Sequence, residues 1–359
     1  MIKRLTIMAL QAITFPFNLS DKGGEILYKK IRCAVIGAGR LGIVHAKNVA
    51  SRIAGAEVVA IVTTREESAK SAAASLGIKK WTIDPQDVFD DPSIDAVIIV
   101  TPTKTHASLI IQAAKSKKHI FVDKPITETL EEADEVAKVI KKNQVYCQVG
   151  FMRRFDPAYA AAKRRIKQGD IGKPLYFKGM SRDPGSPPED YIKTSGGIFV
   201  DLSIHDYDIA RFLIEDEVES VQTFGEVLVH PFMNKYQDVD QSITFITFKN
   251  GATANVEGSR NSTFGYDVRG EVVGTEGAIQ IGSLQHHNNI ILNKNKSFYD
   301  NIPSFPIKFE EAFWLELKHF IECIQKNEKP LVDEEDGKKA LEIAVAATKS
   351  FKKKEPVFL

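Results

Sequence analysis

The stretch Ile31-Arg32-Cys33-Ala34-Val35-Ile36-Gly37-Ala38-Gly39-Arg40-Leu41-Gly42 decides the fold. It opens as a short, mostly apolar run and closes as a GxGxxG loop, after which Ile43, Ala46, Val49 and Ile53 recur at helical spacing. A GxGxxG sequence alone says little. Between a strand and a helix it stands where a dinucleotide-binding turn requires it. Gly37 then makes the turn, Gly39 lets a pyrophosphate approach the backbone, and Gly42 allows close helix and strand packing. Arg40 and Leu41 complete the loop, and the helix N-terminus faces the phosphates. The expectation is a nicotinamide dinucleotide seated here.

Working outward, apolar runs and helical patterns alternate strictly: Val58 to Thr63, Glu66 to Leu76, a weak strand near Trp81, Ala96 to Val100, Thr105 to Ser116, His119 to Val122, Thr129 to Lys142 and Val145 to Val149. Thr129 with Glu132 makes a capping box for the last of these helices. The alternation predicts an α/β fold whose N-terminal part is a Rossmann doubly wound parallel sheet over residues 31–150. Ligands of such sheets lie beyond the carboxyl ends of the strands, so the residues just after each strand are the ones to read.

After the second strand stand Thr63, Thr64 and Arg65, where a carboxylate for the ribose hydroxyls of NAD is expected and missing. Two hydroxyls and a guanidinium, with Arg40, suit the 2'-phosphate of NADP. Solvated arginines with NAD held by other contacts are the alternative, so NAD or NADP stays open. After the fourth strand come Thr101, Pro102 and His106, and after the fifth Asp123, Lys124 and Pro125. A lysine at the mouth of this cleft can hydrogen-bond a reacting oxygen and favour a developing alkoxide.

A second stretch, Ser195-Gly196-Gly197-Ile198-Phe199-Val200-Asp201-Leu202-Ser203-Ile204-His205-Asp206, carries the chemistry. Ile198, Leu202, His205, Ile209 and Phe212 fall at helical spacing, which predicts one amphipathic helix with Asp201 and His205 a turn apart on neighbouring faces. An aspartate that close orients an imidazole and raises its proton affinity, as a general base near neutral pH needs.

Composition bounds the rest. With 359 residues, 43% of them hydrophobic, the chain can bury two cores. Its 48 Lys and Arg balance 47 Asp and Glu, which argues against nucleic acid or an anionic membrane as partner and for a small molecule. Cys33, Cys147 and Cys323 show no CxxC pairing and read as buried thiols of a cytoplasmic protein. No apolar segment is long enough for a bilayer. Lys3 and Arg4 before Leu5 to Leu10 imitate a signal peptide, yet Gln11 and Thr14 interrupt the run, so residues 1–30 are expected to be an N-terminal arm or the product of a start codon placed too early.

From about Phe151 the pattern changes. Residues 151–359 are expected to form a C-terminal α+β domain for substrate binding and oligomerisation, with a large, mostly antiparallel sheet. A helix is predicted from Arg153 to Gln168, strands at Leu175 to Met180, Glu219 to Val229, Gln241 to Phe248, Thr253 to Ser259 and Tyr266 to Val273, and helices at Phe313 to Ile324 and Lys338 to Ser350. In Ile243 to Phe248 apolar side chains fall on both faces. Helices of the same chain cover one face; the other predicts a homo-oligomer, dimer or tetramer, unless it is a two-sided core strand. The acidic run Asp333 to Asp336 reads as the solvated start of a helix, and no cluster has metal-ligand spacing.

With these residues in place, the chain resembles the oxidoreductase family named for glucose-fructose oxidoreductase, inositol dehydrogenase and MocA. The resemblance runs from about Ile31 to Phe358 on the Gly37 loop, Thr101-Pro102 with His106, Asp123-Lys124-Pro125 (Glu-Lys-Pro is commoner in the family) and Gly196-Gly197 through His205-Asp206. The segments Val149 to Asp156 and Ser181 to Pro184 with Pro187-Pro188 look most like the inositol 2-dehydrogenases. The resemblance implies Lys124, Asp201 and His205 as the catalytic set: His205 takes the hydroxyl proton, Asp201 orients and charge-balances it, and Lys124 positions the oxygen. It implies Met152, Arg153, Asp183 and Tyr266, with Asp201 and His205, as the substrate lining. The implied reaction is oxidation of one secondary hydroxyl of a cyclic polyol, myo-inositol before scyllo-inositol or another sugar, with a cofactor-sensing regulator as the non-enzymatic alternative.

Overall fold

The computed structural model describes residues 29–359; the expected arm falls on residues 1–28, outside the described residues, and on the exposed Lys29 and Lys30. The first half alternates as its pattern predicts. In order come β1 (Ile31–Ile36), α1 (Arg40–Arg52), β2 (Ala56–Val62), α2 (Glu66–Ser75), β3 (Lys80–Thr82), α3 (Gln86–Phe89), β4 (Ala96–Ile99), α4 (His106–Lys115), β5 (His119–Asp123), α5 (Leu130–Asn143) and β6 (Cys147–Gly150). Among the described residues these strands form a six-stranded parallel sheet ordered β3-β2-β1-β4-β5-β6. The winding reverses between β1 and β4, which opens the crevice where such sheets take ligands. Helices cover both faces, so Val97, Ile98, Phe121 and Val122 are all fully buried. The capping box forms: the Thr129 hydroxyl accepts from Glu132 N at 3.2 Å, and the Glu132 carboxylate from Thr129 N at 3.3 Å.

The second half contains α6 (Pro157–Lys167), β7 (Pro174–Arg182), α7 (Glu189–Ile192), α8 (Ile198–Asp201), α9 (Ile204–Ile214), β8 (Val218–Glu226), β9 (Gln241–Phe248), β10 (Thr253–Ser259), β11 (Asp267–Gly274), β12 (Ala278–Ile281), β13 (Ile291–Leu292), β14 (Ser297–Phe298), α10 (Phe305–Lys308), α11 (Glu310–Lys326), α12 (Glu334–Lys353) and β15 (Val357–Phe358). A second sheet, seven-stranded among the described residues, runs β12-β11-β7-β10-β9-β8-β15. All its pairs are antiparallel except β7 with β10. One face packs under α9 and α12, where Thr244, Ile246 and Phe248 are buried and the Tyr207 hydroxyl bonds Thr244 at 2.9 Å. On the other face Phe224 and Phe245 stay 52% and 47% exposed with their rings 6.4 Å apart, so the two-sided pattern of β9 reflects one covered and one open face. Arg182, Glu257, Asp267 and Arg269 lie on the strands beside them, ion-paired at 2.7–3.3 Å.

Two predicted helices are broken. Arg153 to Gln168 divides at Asp156, whose extended backbone precedes Pro157 and whose side chain caps α6 by accepting from Ala158 N and Tyr159 N. Proline disfavours a helical residue before it, so this break was written in Asp156-Pro157. The second break separates α8 from α9: Ser203 N bonds Ile198 O, five residues back, at 2.9 Å, and this wider turn rotates His205 relative to Asp201. The acidic run also differs. Asp333 is buried and caps α12 at Asp336 N, and Asp336, partly exposed, takes Arg154 at 3.0 Å and Arg211 at 3.2 Å.

Helix α11 returns to the first sheet, where Leu317, Phe320 and Ile321 share a core with Val35, Ile98 and Phe121. It also buries Glu316, 1% exposed and 4.0 Å from the equally buried His45. Burial, reinforced by Asp123, pushes the Glu316 carboxyl well above its ordinary 4.5, and burial lowers His45 to about 3. A carboxyl with a raised folded pKa contributes stability that is complete below 4.5 and is lost as pH rises through the folded value, because only the unfolded chain then ionises. Glu316→Gln is therefore expected to stabilise the protein at about pH 8 and to do little at about pH 4. Denaturant unfolding at both pH values measures this, and an equal effect at the two would refute it.

Candidate functional site

The carboxyl edge of the first sheet collects the expected residues. The loop after β1 fits a dinucleotide by its own sterics. A Cβ on Gly42 would lie 1.9 Å from the Gly37 carbonyl oxygen, and one on Gly37, whose φ is +97°, would lie 2.2 Å from that of Val100. At Gly39 nothing lies within 4 Å of such an atom, so the one open position faces where a pyrophosphate would come, at the start of α1. Leu41 packs beside Met152, Tyr266 and Phe313, and the Arg40 guanidinium lies over the Phe305 ring, 4.6 Å from its centre. Arg40 is thus held by an aromatic face from the second half, a partner the sequence did not suggest.

Thr63 closes its own turn by donating to Arg65 O at 2.8 Å, and Thr64 and Arg65 are exposed ahead of α2. Two acidic residues, Glu66 and Glu67, occupy the first turn of that helix. After β4, Thr105 donates to the Thr101 hydroxyl at 2.7 Å, and Pro102 opens a short 3-10 turn. The buried His106 presents its ring nitrogens to the carbonyls of Pro125 and Thr101, both at 2.9 Å. It ties the ends of β4 and β5 together from the first residue of α4. Asp123 accepts from Lys124 N at 2.8 Å; burial raises its pKa against the pull of Lys124.

Across the cleft, the Lys124 ammonium donates to Asp201 O at 2.6 Å and lies 3.3 Å from Asp201 Oδ1. A side chain from the first sheet and one from α8 are thereby joined. Asp201 does not pair with His205 as its spacing suggests. Oδ1 also accepts from the Tyr191 hydroxyl at 2.8 Å, and Oδ2 from Arg260 Nη2 at 2.8 Å. Burial opposes ionisation of Asp201, yet the Lys124 and Arg260 cations outweigh it and hold the carboxyl down at about 2.

His205, 8% exposed, packs edge-on against Phe151, and its buried Nδ1 has no hydrogen-bond partner among the described residues. Burial first, then the nearby Lys124 and Arg153, hold the imidazole well below its ordinary 6.5. This corrects the expectation that Asp201 raises its proton affinity: two cations and desolvation surround the ring instead. His205 is neutral at physiological pH, the state in which an imidazole accepts a proton.

Behind His205, Arg153 is only 1% exposed, 3.0 Å from Asp206 and donating to Ser181 at 2.9 Å. Its guanidinium is enclosed by these partners, and its charge acts on His205. Met152 and Tyr266 are each 5% exposed, and burial raises the Tyr266 hydroxyl's pKa. Asp183, at the end of β7, takes Arg260 Nη1 at 2.8 Å; burial raises its pKa while Arg260 opposes. Arg260 and Tyr191 were not legible in the sequence, since each acts by contact with a residue 59 or 10 positions away. Among the described residues, no group of three or more His, Cys, Asp or Glu side chains can hold a metal ion, and no helix is long and apolar enough to cross a membrane.

A doubly wound sheet with a glycine cradle, facing a lysine, a carboxylate and a neutral histidine, defines a nicotinamide-dependent oxidoreductase. Comparison with known proteins makes this particular. Residues 31–151 match the model of the oxidoreductase family's NAD-binding Rossmann fold, and residues 163–359 that of its C-terminal alpha/beta domain. The chain belongs to the glucose-fructose oxidoreductase, inositol dehydrogenase and MocA family. It is 52% identical to scyllo-inositol 2-dehydrogenase (NAD(+)) of Bacillus subtilis over 330 residues, covering 92% of this chain and 96% of that one. It is 38% identical to myo-inositol 2-dehydrogenase of Thermotoga maritima over 330 residues, covering 92% and 98%. The solved scyllo-inositol dehydrogenase of Lactobacillus casei with bound NAD(H) and scyllo-inositol superposes with TM-score 0.87 at 30% identity, covering 92% and 99%.

Proposed function

We propose that this protein is a cytoplasmic NAD-dependent inositol dehydrogenase that oxidises one ring hydroxyl of a neutral cyclic polyol to a ketone. The observation that carries the reading is the Lys124–Asp201 contact, which joins the nucleotide edge to the half bearing His205. Its counterpart of 52% identity acts on scyllo-inositol, so scyllo-inositol takes precedence over myo-inositol, reversing the order of the sequence reading. NAD takes precedence over NADP for a physical reason as well: Glu66 and Glu67 stand beside Arg65, where a 2'-phosphate would be repelled.

Gly37, Gly39, Arg40, Leu41 and Gly42 hold the dinucleotide's pyrophosphate, Thr63, Thr64 and Arg65 flank its ribose, and Thr101, Pro102, His106 and Asp123 frame its nicotinamide end. When bound, the nicotinamide supplies the hydride acceptor. Lys124 hydrogen-bonds the reacting oxygen and stabilises negative charge as it develops there. His205, held neutral, takes the hydroxyl proton. Asp201 fixes Lys124 and, with Asp183, Met152 and Tyr266, orients the ring; Arg153 acts from beneath His205. Residues 31–150 serve as the nucleotide domain and 151–359 as the substrate domain.

The test is initial-rate measurement with myo-inositol, scyllo-inositol and a pyranose, each with NAD and with NADP. Turnover is expected to be fastest with scyllo-inositol and NAD; absence of turnover with every polyol, while NAD binds, refutes the reading. The open face of the second sheet points to a homo-oligomer. Phe245→Asp, which puts a charge among the exposed rings, is expected to shift the protein to a smaller species in light scattering, and an unchanged mass in a folded variant removes this face from the interface.

A further inference from the structure

We propose that Arg260 is the positioning residue of the substrate pocket, holding Asp183 and Asp201 side by side as acceptors for two hydroxyls of a neutral polyol. This deepens the reading above and rests on it. The backbone brings the three residues together. β7 and β10 are parallel neighbours, Asp183 and Arg260 each follow the last residue of their strand, and Asp183 N bonds Ser259 O at 2.8 Å. Asp201 approaches from α8. The Arg260 guanidinium, 1% exposed, gives one arm of its planar fork to each carboxylate, Nη1 to Asp183 Oδ2 and Nη2 to Asp201 Oδ2, both at 2.8 Å.

Two carboxylates brought together in a low-dielectric site do not both stay ionised unless a cation sits between them; one takes a proton and becomes a donor. Arg260 stands at that place. It leaves Asp201 Oδ1, which Lys124 and Tyr191 already approach, and Asp183 Oδ1, outside the ion pair. Both carboxylates are partly open, 13% and 21% exposed. Acceptors so fixed suit hydroxyl donors and disfavour anionic substrates such as sugar acids. The groups acting on Asp201 are Lys124, Arg260, Tyr191, Asp123, Asp183 and Asp238; those acting on Asp183 are Arg260, Asp201, Lys124 and Tyr266. Of these, Arg260 alone contacts both.

The test compares pH profiles of kcat/KM for the wild type, Arg260→Gln and Arg260→Lys, using scyllo-inositol and NAD. Without the guanidinium the acid limb of Arg260→Gln is expected to move up by about one pH unit or more, and KM for the polyol to rise about tenfold, with a smaller fall in plateau kcat. Arg260→Lys, keeping one charge, is expected to lie between. A merely structural role would lower activity by the same factor at every pH, so a profile that superimposes on the wild type after scaling overturns the proposal, as does a Lys variant no better than Gln. If Arg260→Gln does not fold, Asp183→Asn replaces it: KM for the polyol is expected to rise with the acid limb unmoved, and an unaltered KM overturns the proposal. Normal wild-type turnover with an unmoved Arg260→Gln profile counts against Arg260 alone. Wild-type inactivity on all inositols defeats the dehydrogenase reading and this proposal with it.

Discussion

Lys124→Met is expected to lower kcat/KM on an inositol by about 10³-fold, while NAD affinity measured by fluorescence titration stays within a few-fold of wild type. The separation follows from place. The glycine cradle is built by backbone around Gly37, Gly39 and Gly42, none of which Lys124 touches, whereas the ammonium sits across the cleft against Asp201 at 2.6 and 3.3 Å. Two further effects point the same way. Asp201 loses the cation that stabilises its charge most, and His205 loses the larger of the two charges that depress its proton affinity. The base then binds a proton more readily in the free enzyme, so the acid limb of the residual activity is expected to move to higher pH. Retention of more than a tenth of the wild-type rate would remove Lys124 from the reacting oxygen and leave only a structural tie between the two halves.

The sequence revealed most where the physics is local. The glycine loop, the alternation of strands and helices and the Thr129 capping box each depend on residues within a few positions of one another, and each stands where it was expected. Asp201 shows where such reasoning stops. Its spacing from His205 was read correctly as four residues, but a wide turn at Ser203 redirects the carboxylate, and its partners come from positions 124, 191 and 260. Arg153 makes a related point: the family resemblance, and no local pattern, put it in the substrate lining, and the sequence does not show that Asp206 and Ser181 enclose its guanidinium. Burial of a charge is decided by partners far along the chain, and no periodicity encodes them.

Asp208→Ala is expected to destabilise the protein by about 3–5 kcal/mol, the range for removing one partner of a buried pair. Asp208 is fully buried on α9 and accepts Arg154 Nε at 2.9 Å and Nη2 at 2.5 Å. Arg154, 5% exposed, also reaches Asp336 at 3.0 Å, and Asp336 takes Arg211, so one network joins the turn after β6, the helix bearing His205 and the start of α12. Burial raises the pKa of Asp208 and Arg154 opposes it, which makes the pair mutually dependent. Deleting the carboxylate leaves a desolvated guanidinium with Asp336 as its remaining anion. Because that cost is mostly the stranded charge, Arg154→Met with Asp208→Leu is expected to be less destabilising than the sum of the two single changes. Equilibrium unfolding in urea at fixed protein concentration measures Asp208→Ala, the two single changes and the double variant. Additive losses would mean that the two groups are held independently, and a loss under about 1 kcal/mol for Asp208→Ala would mean that Asp336 alone compensates Arg154. In that event α9 would owe its position, and with it the placement of His205, to the apolar packing of Ile204, Tyr207 and Ile209 and not to charge.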